Sequence, residues 1–387
     1  MRILALKARG FVLPHIHRCM VRAFRDLGAE VVEVALDPCP SPWENLREIL
    51  RQGRFHAVFT LDLGGDPSFA SQVGAHQWEL GTVWATWFVD DPEGYGFPTS
   101  CDPHWTLALC WDRRLCQDQF RQGGVQVHHL PLAADPLRFR PALPPAPELP
   151  AQGVFVGALA HPNELLQRVA ASTPGVREAV ESVWERYRAD MVQSLHGLVW
   201  EALSVFLGRP VSELRADSLC RLWVQACVFA VGIRKRVELV RWALGAGGAV
   251  FGEPQWGLHI GPRLYRGPLA YGEEDLPRQY RKSAFVLEIR QPQSRTGLTQ
   301  RLFDGSCCGT AVVAEWSPEL GEILDDEEDV YSFRDLPGAR EARERCLADP
   351  REAARKASRA RRTVLGRHTY RHRAARILSL LEERIFG

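Results

Sequence analysis

Over the first 140 residues short apolar runs alternate with amphipathic stretches. Ile3 to Leu6, Val31 to Ala35 and Ala57 to Leu61 read as strands, and His17 to Leu27 and Trp43 to Gln52 between them carry apolar residues at helical spacing. Further strands are predicted at Thr82 to Val89, Trp105 to Cys110 and Val127 to Leu130. Such alternation predicts an α/β domain, a parallel sheet with helices on its faces. Ligands of such sheets meet the loops beyond the carboxyl ends of the strands. The loops to watch are therefore Lys7 to His17, Asp62 to Asp66 and Asp90 to Tyr95.

Seven prolines (131, 136, 141, 144, 145, 147 and 150) follow. Proline removes amide donors and stiffens the chain, so this stretch predicts a linker and a domain boundary near 140–150. Gly153 to Ala158 then opens a second sheet. Residues 162–245 read as a helical block, with helices over Glu164 to Ala171, Gly175 to Phe206 and Ser212 to Gly245, punctuated by Pro174 and Pro210. Its Trp184, Tyr187, Leu195, Leu198 and Trp200 are expected in the core. Strands resume at Ala249 to Pro254, Leu264 to Gly267 and Ala284 to Ile289, and Thr369 to Ile385 is a final amphipathic helix.

Candidate chemistry concentrates in Arg295 to Glu315, which follows the strand Ala284 to Ile289. The order is strand, polar loop, short helix, Gly309, strand: a βαβ unit. The free amides at such a helix start attract an anion such as a diphosphate, and Gly297 lets the backbone approach closely. Asp304, about two turns into the helix, is placed to accept hydrogen bonds from sugar hydroxyls, as acidic groups do for riboses in doubly wound folds. The competing reading is an ordinary βαβ unit with a solvated Asp304.

This segment resembles the donor motif of group-1-like glycosyltransferases of the GT-B fold, in the branch that includes the spore maturation protein CgeB. Val83-Trp-Ala-Thr-Trp-Phe-Val-Asp-Asp-Pro92, Leu264-Tyr-Arg-Gly-Pro-Leu-Ala-Tyr271 and His368-Thr-Tyr-Arg-His-Arg373 are similar to the same branch. Residues 162–225 match no known pattern. The resemblance implies two Rossmann-like domains: an acceptor domain over 1–140, a linker at 141–152, and a nucleotide-sugar domain over 153–365 with the helical insertion at 162–245. Residues 366–387 would cross back to the first domain, and the reaction would occur in the cleft.

On that pattern Asp304 stands where relatives accept the ribose hydroxyls with a Glu, and Arg301 is a diphosphate candidate. Thr296 replaces a first Glu eight positions before Asp304. It could instead cap the helix or bond a phosphate oxygen. Glu322 falls where relatives carry a Glu after a glycine loop, or else it is an exposed first-turn acid. Gly157 opens a loop toward the diphosphate, followed by His161 and Arg168, and Arg263, Arg266 and Arg295 are further cations. Asp90 and Asp91, after an apolar strand and before Pro92, are candidates for the general base, with His15 and His17 as rivals.

Composition narrows the classes. With 48 basic and 47 acidic residues the net charge is +1, which gives no field favouring nucleic acid. Most of the basic side chains are Arg, with a local surplus over Arg355 to Arg376 that reads as a solvated helix face. Ten cysteines at irregular spacing lack a Cys-x-x-Cys pair and read as reduced, mostly buried thiols. The first ten residues are too short and too charged for a signal peptide, and no stretch reads as a membrane span, so a cytoplasmic protein is expected. The expected activity is metal-independent transfer of a sugar from a nucleotide diphosphate donor, with no other cofactor, to an acceptor left open between a protein and a surface glycan. The alternatives are an inactive nucleotide-sugar-binding or scaffold protein, and a metal-dependent hydrolase using His15, His17, Asp90, Asp91 and His128.

Overall fold

The computed structural model describes residues 1–35, 42–65, 81–92, 102–141, 152–160, 164–172, 175–271 and 273–387. Asp66, residues 93–95, His161 and the second half of the proline-rich stretch, from 142 on, lie outside them. Two compact units are present, one made of Met1–Asp135 with Leu365–Gly387, the other of Pro136–Val364.

Unit 1 is a six-stranded parallel sheet. Its elements are β1 (Arg2–Leu6), α1 (Leu13–Asp26), β2 (Glu30–Val34), α2 (Pro42–Gly53), β3 (Ala57–Leu61), β4 (Val83–Phe88), β5 (Thr106–Cys110), α3 (Arg113–Gly123) and β6 (Val127–His129), with strand order β2-β1-β3-β4-β5-β6. Every residue of β3, β4 and β5 is buried, as expected for strands covered on both faces. Leu4, Leu6, Trp43, Leu46, Leu50, Phe55, Val58 and Trp84 form the core beneath α2. Pro14 opens α1, where its missing amide costs nothing. The C-terminal helix Tyr370–Phe386 packs on α1 and β4, started by a capping box between Thr369 and His372. Buried Arg373 anchors it by donating to the carbonyls of Pro131 at 2.6 Å and Leu132 at 2.8 Å.

Unit 2 repeats the plan with five parallel strands and more helix. In order come β7 (Val154–Val156), α4 (Glu164–Ser172), α5 (Val176–Ala189), α6 (Leu195–Leu207), α7 (Val211–Leu214), α8 (Ser218–Leu244), β8 (Ala249–Phe251), α9 (Trp256–Ile260), α10 (Asp275–Arg281), β9 (Phe285–Glu288), α11 (Gln300–Cys307), β10 (Ala311–Glu315), α12 (Leu320–Ile323), β11 (Tyr331–Phe333), α13 (Leu336–Ala348) and α14 (Pro350–Arg367). The sheet order is β11-β10-β9-β7-β8. Helices α4 to α8 form the insertion, centred on buried Trp184, Tyr187, Leu198, Trp223 and Val231, which join the sheet's core.

Several boundaries differ from the pattern reading, among them the helix predicted over Ser212 to Gly245, which is α7 and α8 with Asp217 capping the second. The single helix predicted over Gly175 to Phe206 is two, because Asp190 turns to extended backbone and its carboxylate accepts from Val192 N at 3.0 Å. Ser194 then caps α6 by accepting from Gly197 N at 3.1 Å. Leu264 to Gly267 is not a strand; only Tyr265 bridges Val250. The helix predicted to start near Gly297 starts at Gln300, with Thr299 at its N-cap position.

Candidate functional site

Both sheets reverse their strand order between the first and third strands, β1/β3 in unit 1 and β7/β9 in unit 2. A crevice at the carboxyl ends opens at such a switch point. In unit 2 two guanidinium groups bridge it. Arg301, on the first turn of α11, donates at 3.1 Å to the carbonyl of Val156, the last residue of β7, and at 2.5 Å to that of Ile289, just beyond β9, and lies over the Phe155 ring. Its Nε lies 3.2 Å from Glu288. Arg236, fully buried on α8, donates to Ala158 O and, at 2.5 Å, to Gln291 Oε1. Burial and the neighbouring Arg301 draw its pKa down to about 9. Gly157 sits under Arg301, where a Cβ would lie 2.5 Å from Nη1. Any side chain at 157 would displace the guanidinium.

Glu288 explains the start of α11. Its carboxylate accepts from Thr299 N at 3.0 Å and Thr299 Oγ1 at 2.6 Å. A residue of the protein's own thus meets the amino end of this helix, which supplies the negative charge favoured there.

One strand over, at the ends of β9 and β10, is a buried charge cluster beside a pocket. Consecutive helical residues point about 100° apart; Arg236 turns to β7 and β9, and Lys235 to β10. Lys235 Nζ lies 3.0 Å from Glu315 Oε2, while Arg290 lies 2.8 Å from Oε1 and also donates its backbone N–H to Oε2 at 3.0 Å. Tyr187 O–H donates to the same carboxylate at 3.2 Å. Burial opposes the charged form of Glu315, yet Arg290 and Lys235 hold its pKa at about 2. Burial lowers that of Lys235 to about 8 against the pull of Glu315. Lys235, Arg290 and Arg295 line the adjoining pocket together with Ser194 and His196 of the insertion. Among the described residues the lining thus brings three cationic side chains together, two of them paired with Glu315.

The other expected residues of unit 2 are dispersed. Asp304 is fully buried rather than solvated; its Oδ1 accepts from Gln300 Nε2 at 2.9 Å and its Oδ2 from Tyr271 O–H at 2.5 Å. Thr296 does not stand at the N-cap position of α11, which Thr299 holds, and donates to buried Glu319 at 2.6 Å. Gly297 is buried, its carbonyl accepting from Ser294 Oγ at 2.7 Å. Glu322 is an exposed first-turn acid of α12. Arg263 and Arg266 are exposed in the segment alongside edge strand β8, and Arg168 is exposed on α4. Pattern reading passed over Lys235, Arg236, Glu288, Arg290 and Glu315. Charged residues inside or at the ends of apolar elements, as in Leu287-Glu-Ile-Arg290 and Val313-Ala-Glu315, were the available signal.

Unit 1 places an acid at its switch point. Asp62 follows β3 with φ 48°, and Leu63 has φ 51°, both in the left-handed region that non-glycine residues avoid. Asp62 is fully buried; Oδ1 accepts from Val89 N at 2.8 Å and Asp90 N at 3.3 Å, and Oδ2 has no hydrogen-bond partner among the described residues. Burial, then the nearby Asp90 charge, raise its pKa well above the usual range. Asp90 and Asp91 are half-buried beside it. His17 is not with them. It lies within α1, its Nε2 3.2 Å from Glu33 of β2, with its pKa lowered by burial. Strands β1 and β3 separate β2 from β4, roughly 14 Å at ~4.8 Å per strand. His15 instead meets Cys19 and Asp135.

The profile of a family described as glycosyl transferase-like matches residues 234–379, the stretch that holds Lys235, Arg290, Arg301, Asp304 and Glu315. No curated protein matches the chain. Among solved structures it is similar to a sucrose-phosphate synthase from Thermosynechococcus elongatus at 13% identity, over 99% of this chain and 98% of that one, with a TM-score of 0.53. Anabaena HepE in complex with UDP and glucose matches at 10% identity over 99% and 100%, with a TM-score of 0.55. A glycosyltransferase from Rickettsia africae matches at 11% identity over 100% and 99%, also at 0.55. The chain has the GT-B fold. Its two parallel sheets flanked by helices match the two Rossmann-like domains of that fold, with a helical insertion in the C-terminal one.

Proposed function

We propose that this chain is a glycosyltransferase that takes a sugar from a nucleoside diphosphate donor held by unit 2. The observation that carries the reading is the pocket lined by Lys235, Arg290 and Arg295 at the carboxyl ends of β9 and β10, inside the stretch matched by the glycosyl transferase-like profile. Sugar transfer leaves charge on the departing diphosphate, and fixed cations in a water-poor site stabilise it most as the bond breaks. Side chains that neutralise the leaving group support a transfer needing no metal at the donor. Arg236 and Arg301 hold the strand ends that carry the pocket, and Ser194 and His196 bring the insertion to its wall. UDP, bound to Anabaena HepE in its solved complex, is the first donor base to test.

Asp304 enters this reading with a condition. For it to accept ribose hydroxyls, these must replace the Tyr271 O–H and the Gln300 amide as donors. On the acceptor side, Asp90 is the proposed base. Asp62 holds the backbone on which Asp90 is mounted, and a proton on Asp62 lets Asp90 stay ionised. We place the chain in the CgeB-containing branch on the four motifs quoted above. The eight cysteines among the described residues are buried and form no disulfide, which supports a reducing compartment such as the cytoplasm. No helix among the described residues is long and apolar enough to cross a membrane. A protein or surface glycan is the proposed acceptor class.

Burial of Asp304 and internal pairing of Arg301 take two expected donor contacts out of play and favour a second reading, binding of the nucleotide without transfer of its sugar. Calorimetric titration with UDP and GDP, followed by incubation with the corresponding sugars, separates the two. Transfer or donor hydrolysis supports the enzyme; binding without turnover supports the second reading; no binding rejects both. Arg295→Gln should weaken nucleotide binding about 10-fold or more, the loss of one charge-assisted contact.

A further inference from the structure

In unit 1, away from the residues given roles above, three metal-ligating side chains converge. His15 and Cys19 stand four residues apart on α1 and so share a face. Asp135 reaches them because Ala134 bridges Thr369 and donates its N–H to His368 O at 2.8 Å. His15 Nε2 lies 3.4 Å from Cys19 Sγ and 3.6 Å from Asp135 Oδ2, and Cys19 Sγ lies 3.4 Å from the same Oδ2. All three side chains are buried.

The three separations are those of ligands sharing one cation; the two contacts to Cys19 Sγ are also ordinary lengths for hydrogen bonds to sulfur, whereas the His15–Asp135 contact is too long for one. Metal–ligand distances of ~2.0–2.3 Å at tetrahedral angles put nitrogen, sulfur and oxygen ligands about 3.3–3.6 Å apart. A nitrogen-to-oxygen hydrogen bond prefers roughly 2.7–3.2 Å, shorter than the His15–Asp135 contact. Arg22 completes the arrangement from outside. Its Nη2 donates to Asp135 Oδ1 at 2.8 Å, which leaves Oδ2 turned to the cluster, and lies 3.9 Å from Cys19 Sγ, where it favours a thiolate.

We propose that His15, Cys19 and Asp135 bind a divalent cation of the zinc class through one imidazole nitrogen, one thiolate and one carboxylate oxygen, with water as the fourth ligand. Cys19 gives up its thiol proton to solvent on binding, and the thiolate and carboxylate balance the ion's two charges. Imidazole and thiolate select zinc or cobalt over magnesium and calcium, which prefer oxygen alone. The ion fastens the segment ending at Asp135 to α1 and takes no part in the donor chemistry of unit 2.

The full chain, stripped with chelator, is titrated with cobalt(II) and then zinc. One equivalent of cobalt should give the visible bands of a four-coordinate site with a thiolate-to-cobalt charge-transfer band, and zinc should displace it. Cys19→Ser should lose the charge-transfer band, and Arg22→Gln should weaken binding by about 10-fold. Absence of the band in the wild-type chain overturns the proposal without reliance on any variant. So does its persistence in folded Cys19→Ser, checked by circular dichroism.

Discussion

The switch points of the two sheets have the same strand order and opposite electrostatics. In unit 2, Arg236 and Arg301 bridge the ends of β7 and β9, with Lys235 and Arg290 one strand over around Glu315. In unit 1, a single buried acid, Asp62, stands beyond β3 with Asp90 and Asp91 near it. Topology fixes where a Rossmann-like sheet can bind a ligand. The residues set on that frame decide which charge it presents, and here they set buried cations at the unit 2 crevice and a buried acid at that of unit 1.

Removing the charge that organises unit 2 should have the largest effect. Glu315→Gln leaves Lys235 and Arg290 buried without their counter-ion, and should cost about 3–5 kcal/mol in chemical denaturation. Adding Lys235→Met should return part of that loss. If the double variant is as unstable as the sum of the singles, the cluster is not a coupled unit.

Gly157→Ala should follow, at about 1–3 kcal/mol, because the added methyl meets the Arg301 guanidinium. An unchanged midpoint would mean that Arg301 does not need its place at the switch point.

The unit 1 acid should respond differently to its two replacements. Asp62→Ala orphans the amides of Val89 and Asp90 and should cost about 1–3 kcal/mol, whereas Asp62→Asn keeps their acceptor and should be tolerated. The folded protein holds the Asp62 proton to higher pH than the unfolded chain, whose value is 3.8. Stability therefore falls as pH rises between those two values, and Asp62→Asn should flatten that fall.

Nucleotide affinity supplies the pH test for unit 2. Lys235 loses its proton as pH rises through about 8, so UDP affinity should weaken above that pH in wild type. Bound diphosphate will move the inflection upward. A flat dependence would place the anion elsewhere. The smallest effect is expected for exposed Arg266→Ala, within about 0.5 kcal/mol of wild type and with UDP affinity unchanged.

The pattern of apolar runs made the α/β layers legible because buried parallel strands, such as β3 to β5, leave continuous hydrophobic stretches. It blurred the break at Asp190, where a polar residue leaves the helix without a proline or glycine to mark it. The site was harder to read. Arg301 and Gly157 were named from a motif, and the structure brings them into contact, but spacing cannot tell that Arg301 is spent on carbonyls and Glu288. Lys235 and Glu315 lie 80 residues apart, and only the packing of α8 on the sheet joins them. For Asp304 the sequence leaves open a sugar-hydroxyl acceptor or a solvated acid, because the tertiary contacts with Tyr271 that bury it lie 33 residues away along the chain.

The most direct test is calorimetric titration of UDP into the full chain, Arg295→Gln and Asp62→Asn. The account predicts a single site in wild type, affinity reduced about 10-fold or more by Arg295→Gln, and no change with Asp62→Asn. Equal affinity in wild type and Arg295→Gln, or loss of binding in Asp62→Asn, would contradict the assignment of the diphosphate to unit 2.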